Sequence, residues 1–210
     1  MTSVTTATAI QTLSISISLI ASGGIAAISL FDVPELQSQP ASRSLPSTRW
    51  LFSRGSHIFP QAASLAGAGF LYLAYAVLPP ATATAGGDLL SLRHVRTNGA
   101  AVNGYLAAAA LSVAIAPFTV CVMLPATNSA LIGINAEKGG ARSVEDSVAG
   151  KGGASEFTDL SGPQTRIRVS TAEEDEKVRR LLDMFGKLNL VRAVLLGAGG
   201  VLGLWTALQG

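Results

Sequence analysis

The stretch from Ala7 to Leu30 contains no Asp, Glu, Lys or Arg, and three later stretches nearly match it: Gln61 to Leu78, Ala100 to Leu124, and Leu190 to Leu208, where Arg192 is the one exception. A helix needs about 20 apolar residues to cross the hydrocarbon core of a bilayer. Charge is scarce elsewhere too. Only 13% of the 210 residues are charged, against about 25% in soluble globular domains, and the mean hydropathy is +0.43. The sequence therefore predicts an all-α fold, a four-transmembrane-helix bundle forming a single integral membrane domain over residues 1–210, with spans at about 7–30, 61–78, 100–124 and 190–208.

In the first stretch, Thr12, Ser14, Ser16 and Ser18 alternate with Leu13, Ile15, Ile17 and Leu19, a period that also fits a strand. Its length and the lack of turn residues before Gly23 favour a helix whose hydroxyls bond neighbouring helices or their own backbone. A cleaved leader is the alternative, since Ala21, Ser22 and Gly23 are small, but no base precedes the apolar run. Pro79 and Pro80 are read as the stop of the second span, and Trp205 as an interfacial anchor of the fourth. Four crossings place a loop from Phe31 to Pro60 and another from Pro125 to Asn189 on one side. Those loops hold every Lys and Arg except Arg93, Arg96 and Arg192. The positive-inside rule makes them cytosolic and both termini lumenal, in a multi-pass protein of an endomembrane.

Between about residues 135 and 170 the chain is rich in Gly, Ser and charge, and a disordered loop is expected. An amphipathic helix is expected over about 171–188. Ser170 and Glu173 read as its capping box, and the acids Glu173 to Glu176 precede the bases Lys177, Arg179 and Arg180. Val178, Leu181, Leu182, Phe185 and Leu188 share one face, which suits either the membrane surface or a plain connecting helix.

The formal net charge of +2 and the dispersed bases form no phosphate-binding stripe, which argues against nucleic acid. Cys121, the single cysteine, is read as a small core residue. His57 and His94 fall in separate segments without metal-ligand spacing, so no metal site is expected. The run Gly197, Gly199, Gly200, Gly203 has Leu202 where a dinucleotide fingerprint needs its third glycine. It reads as close helix packing, as do Gly23, Gly24, Gly67 and Gly69. What remains is a set of polar groups near span ends, costly to hold beside lipid. His57 can serve as a general base or sit in water as a loop histidine. Arg54 and Arg192 can stabilise an enolate or pair with headgroups. Asn103, Asn128 and Asn189 can hydrogen-bond a carbonyl or cap and bridge helices. Trp50, Tyr72, Tyr75 and Tyr105 can stack on a flat ligand or form an aromatic belt.

Three segments in order carry a resemblance: Trp50 with Gly55-Ser56-His57-Ile58-Phe59-Pro60; Val122-Met123-Leu124-Pro125-Ala126-Thr127-Asn128-Ser129-Ala130-Leu131; and Leu188-Asn189-Leu190-Val191-Arg192 leading to Gly197 and Trp205. The chain resembles the fungal anthrone oxygenases, small four-helix membrane proteins that accompany polyketide synthases, and most of all those acting on norsolorinic acid anthrone in aflatoxin-type mycotoxin biosynthesis. The resemblance implies a monooxygenase that converts a polyketide anthrone with O2 into the anthraquinone and water, with no cofactor. It implies His57, Asn128 and Arg192 as catalytic residues and Trp50, Asn103, Tyr105 and Asn189 as substrate-binding residues. The partners implied are the anthrone, the lipid bilayer and a polyketide synthase. The alternative is a non-catalytic membrane scaffold or accessory subunit. Transport is a further option, weakened by the absence of an acidic residue in any span.

Overall fold

The computed structural model describes residues 2–78, 99–140 and 167–209, and among these every regular element is helical. In chain order they are α1 (Thr2–Ala27), a π-helical turn (Ile28–Asp32), α2 (Val33–Gln37), α3 (Ala41–Ala76), α4 (Ala100–Val113), α5 (Ile115–Phe118), a second π segment (Thr119–Asn128), α6 (Ser129–Glu137) and α7 (Ala172–Leu208). Three helical stretches, Thr6–Gln37, Ala100–Glu137 and Ala172–Gln209, are long and apolar enough to cross a membrane. The remaining long helix, α3, mixes apolar residues with Arg43, Arg49, Arg54 and Gln61.

The helices are longer than the apolar runs suggested, and proline explains the difference. Proline lacks an N–H and crowds the carbonyl four residues earlier, which usually breaks or kinks a helix. Here Pro34 and Pro125 have those carbonyls, of Leu30 and Cys121, inside the two π segments. There the backbone widens, with the Val33 N–H reaching back to Ile28 O and the Ser129 N–H to Leu124 O. Pro117 instead coincides with the break at Ala114. The supposed loop from Phe31 to Pro60 is therefore almost wholly helical, and His57 lies inside α3, not in a loop before it. Likewise, the stretch after Pro125 stays helical to Glu137. Most of the expected disordered loop, together with His94, Arg93, Arg96 and the Pro79-Pro80 stop, lies outside the described residues.

The chain divides into two compact units: Met1–Gly23, Ala62–Ile115 and Ala193–Gly210 form unit 1, and Gly24–Gln61 and Ala116–Arg192 form unit 2. Unit 1 is built on small residues. Its core contains Ala66, Phe70, Leu73, Tyr105, Ala108 and Ala109. A Cβ on Gly199 would stand 2.7 Å from Ser112 Oγ and 2.9 Å from Ala108 O, and one on Gly203 would collide with the buried Phe70 ring. The hydroxyls of Ser18 and Ser22 donate to Leu196 O and Ala193 O, each at 2.7 Å, while Ser14 bonds back to Ile10 O. Gly23, in contrast, faces open space. Large apolar side chains point outward from this unit, among them Leu13, Ile20, Leu65, Val194, Val201, Trp205 and Leu208. An outward apolar surface of this kind suits lipid, consistent with a membrane protein.

Unit 2 is tied by polar contacts around an apolar core of Val33, Leu36, Leu45, Met123, Leu131, Val178, Leu182 and Phe185. The stripe of α7 that could have lain on a membrane surface is thus packed inward, with Phe185 tilted against Phe52 at 5.1 Å between ring centroids. It belongs to one continuous helix that runs on through Arg192. Its capping box is one residue later than expected: the Thr171 N–H donates to Glu174 Oε2 at 2.7 Å and the Glu174 N–H to Thr171 Oγ1 at 3.3 Å. Ser170 serves another helix, accepting from the Ser42 N–H at 3.2 Å. Asp175 Oδ1 accepts from the Ala41 N–H at 2.6 Å, so α7 caps the start of α3. Buried Lys138 donates to Glu174 Oε2 at 2.7 Å. Asp175→Ala removes a cap of the kind that contributes about 0.5–2 kcal/mol; its unfolding midpoint in detergent is expected to fall accordingly, whereas Asp183→Ala, which removes an exposed pair with Lys187, should leave the midpoint unchanged.

Candidate active site

Both π segments lie in unit 2, and such widenings recur at functional sites. Five of the seven site residues that the resemblance implies, Trp50, His57, Asn128, Asn189 and Arg192, are in this unit. Asn103 and Tyr105 belong to unit 1, where the buried Tyr105 ring stacks on Phe70 and its hydroxyl accepts from Gln11 Nε2 at 2.6 Å.

His57 is oriented by its own helix. Nδ1 is 2.7 Å from Ser53 O. A carbonyl oxygen only accepts, so Nδ1 carries the proton and donates it, which leaves the lone pair of the neutral imidazole on Nε2. That nitrogen is buried. The arrangement is what a general base requires, a basic nitrogen held in place and screened from bulk water. Arg49, Ser53 and His57 recur every four residues on α3 and so share a face. Arg49 also buries Nη1. The sequence alone does not single out Arg49, because in a loop over residues 31–60 the four-residue spacing has no meaning.

Trp50 and Arg54 lie along the neighbouring stripe, with the guanidinium carbon 5.5 Å from the Trp50 ring centroid, a cation–π pairing. Trp50 also lines an open cleft of about 320 Å³ with Asp32, Glu35, Leu36, Gln39, Ser47 and Leu51, within the range of small-molecule sites, about 300–1,000 Å³. Tyr72 and Tyr75 are exposed. Cys121 is exposed as well, not a core residue.

The second cluster joins α1 to α7. Asn189 is buried, and its Nδ2 donates to Ile25 O at 3.1 Å and to Ser29 Oγ at 3.2 Å. Its Oδ1 accepts from Arg192 Nη1 at 2.9 Å. Both N–H groups of the amide are thereby spent inside the protein, so Asn189 cannot donate to a substrate carbonyl as it stands. Asn128, at the end of the second π segment, accepts from Thr127 Oγ1 at 3.1 Å. Among the described residues, His, Cys, Asp and Glu form no group of three suited to a metal ion.

The sequence profile of the anthrone oxygenases matches residues 49–202, a range that takes in Trp50, His57, Asn128, Asn189 and Arg192. No curated protein and no solved structure matches the chain. The match covers well over half of the chain, from the arginine beside Trp50 in α3 to the glycine-rich end of α7, and on that ground the protein is a member of the anthrone oxygenase family.

Proposed function

We propose that this protein oxidises a polyketide anthrone, norsolorinic acid anthrone in particular, at its central methylene to give the anthraquinone norsolorinic acid and water, with O2 as co-substrate and no cofactor. The family match carries the reaction class, and His57, oriented by Ser53 O and with its Nε2 buried, is the observation that carries the mechanism. The methylene lies between two aryl rings and opposite a ketone, so its loss of a proton yields an aromatic, electron-rich oxyanion. His57 Nε2 takes that proton. Arg192 and Asn128 stabilise the developing negative charge, and Trp50 offers a face for the flat rings. The anion passes one electron to O2, giving a carbon radical and superoxide, which combine through a new C–O bond. Protonation gives the hydroperoxide, and loss of water across its C–H and O–O bonds leaves the ketone. One oxygen atom enters the product and the other leaves as water.

The same reading places four crossings in an endomembrane with both termini lumenal, so that α3 spans as well, and has a polyketide synthase supply the substrate. Anthrones and O2 both partition into apolar phases, which favours a membrane setting. In detergent, chelator-treated protein is expected to raise the rate of quinone formation from an anthrone above the spontaneous rate, measured by absorbance and oxygen uptake. An unchanged rate would overturn the enzymatic reading and leave the scaffold.

A further inference from the structure

Arg192 is held by one corner. Its single hydrogen bond to a described residue runs from Nη1 to Asn189 Oδ1, at 2.9 Å, while Nε is buried and meets no acceptor among those residues. In a guanidinium the Nε–H and Nη2–H bonds point the same way along one edge. Anchoring at Nη1 therefore leaves free the edge that grips two oxygens at once. A buried N–H without an acceptor is costly, and an oxygen-bearing ligand supplies what Nε lacks.

Asn189 is fixed in turn. Its amide plane is set by two acceptors on one turn of the first helical stretch, Ile25 O at 3.1 Å and Ser29 Oγ at 3.2 Å. Ser29 is buried and directs its own hydroxyl to Ile25 O at 3.4 Å, so its lone pairs are left for the Asn189 N–H. Ser29 stands in the π turn Ile28–Asp32, where the carbonyl register is shifted.

Resting on the anthrone-oxidising reading, we infer that Asn189 is a positioning residue, backed by Ser29, which turns the Nε/Nη2 edge of Arg192 toward the paired oxygens of an aryl ketone with a hydroxyl beside it. The chemistry suits a chelated hydroxyketone, whose two oxygens lie side by side and share the negative charge formed when the methylene is deprotonated. Arg192 touches substrate; Asn189 and Ser29 act only through it.

The test is a double-mutant cycle on purified full-length protein in detergent, with a hydroxyanthrone as substrate and kcat referred to folded protein. Arg192→Ala is expected to lower kcat by about 10²–10³-fold, as for loss of an oxyanion donor. Asn189→Ala should lower kcat about tenfold while leaving KM nearly unchanged, and the double variant should be no slower than Arg192→Ala alone. Losses that multiply in the double variant would overturn the inference, because Asn189 would then act independently of Arg192. Ser29→Ala covers the case in which Asn189→Ala does not fold. It should reduce kcat in the presence of Arg192 and have no effect in the Arg192→Ala background, and an equal reduction in both would also overturn the inference. A wild-type protein with no activity removes the reaction itself and this inference with it, whereas multiplying losses in an active protein remove the inference alone.

Discussion

Replacing His57 by alanine is expected to slow anthrone oxidation by about 10²–10⁴-fold, the usual contribution of a positioned general acid or base. The size of the effect follows from the tautomer. Because Nδ1–H is committed to Ser53 O, Nε2 alone offers a lone pair, and no second imidazole is present among the described residues to replace it. His57→Gln should be equally slow, since it keeps a polar group of similar reach without a basic nitrogen. Folding is checked by the unfolding midpoint and by elution in detergent, both of which should stay near wild type, because Ser53 O and Ser56 Oγ, which meet His57 Nδ1, belong to its own turn of α3. A variant that folds and keeps full activity would remove His57 from the mechanism.

The second large effect concerns the packing of unit 1. Gly199→Val is expected to destabilise the protein by about 1–3 kcal/mol or more, the range for overpacking a closely fitted contact. A side chain at position 199 meets the Ala108 carbonyl at 2.9 Å and Ser112 Oγ at 2.7 Å, and the backbone atom cannot rotate away. Gly23→Ala is the matched control. Nothing lies within 4 Å of its added Cβ, so it should be neutral or stabilise by up to about 1 kcal/mol through helix propensity. The unfolding midpoints of the two variants in one detergent test the contrast, and equal midpoints would show that Gly199 is not a close-packing position.

Gly199 and Gly203 are readable in the sequence because small residues four apart are a local signal, whereas Gly23, read there as a packing glycine too, faces open space. The helical content was equally legible from the apolar runs. Helix length was not, because Pro34, Pro60 and Pro125 look like stops, and a sequence does not show that the backbone absorbs two of them by widening. The face Val178, Leu182, Phe185 was recognised, yet periodicity alone does not say whether lipid or protein covers it; Val33, Leu45, Met123 and Leu131 do. At the site, the i,i+3 spacing of Asn189 and Arg192 and the four-residue steps from Arg49 to His57 are local, and a helical reading of residues 41–60 recovers the second. The Ser29 contact is different. Its partner Asn189 is 160 positions away, and only tertiary structure brings the two together.

The central claim is that His57 removes a proton from the substrate methylene, and that step can be isolated by excluding oxygen. Anthrone incubated anaerobically in D2O with the purified protein should exchange its methylene hydrogens for deuterium faster than in buffer, followed by loss of the methylene NMR signal, and His57→Gln should abolish the gain. Exchange no faster than in buffer, from a protein that still accelerates the aerobic oxidation, would contradict the account.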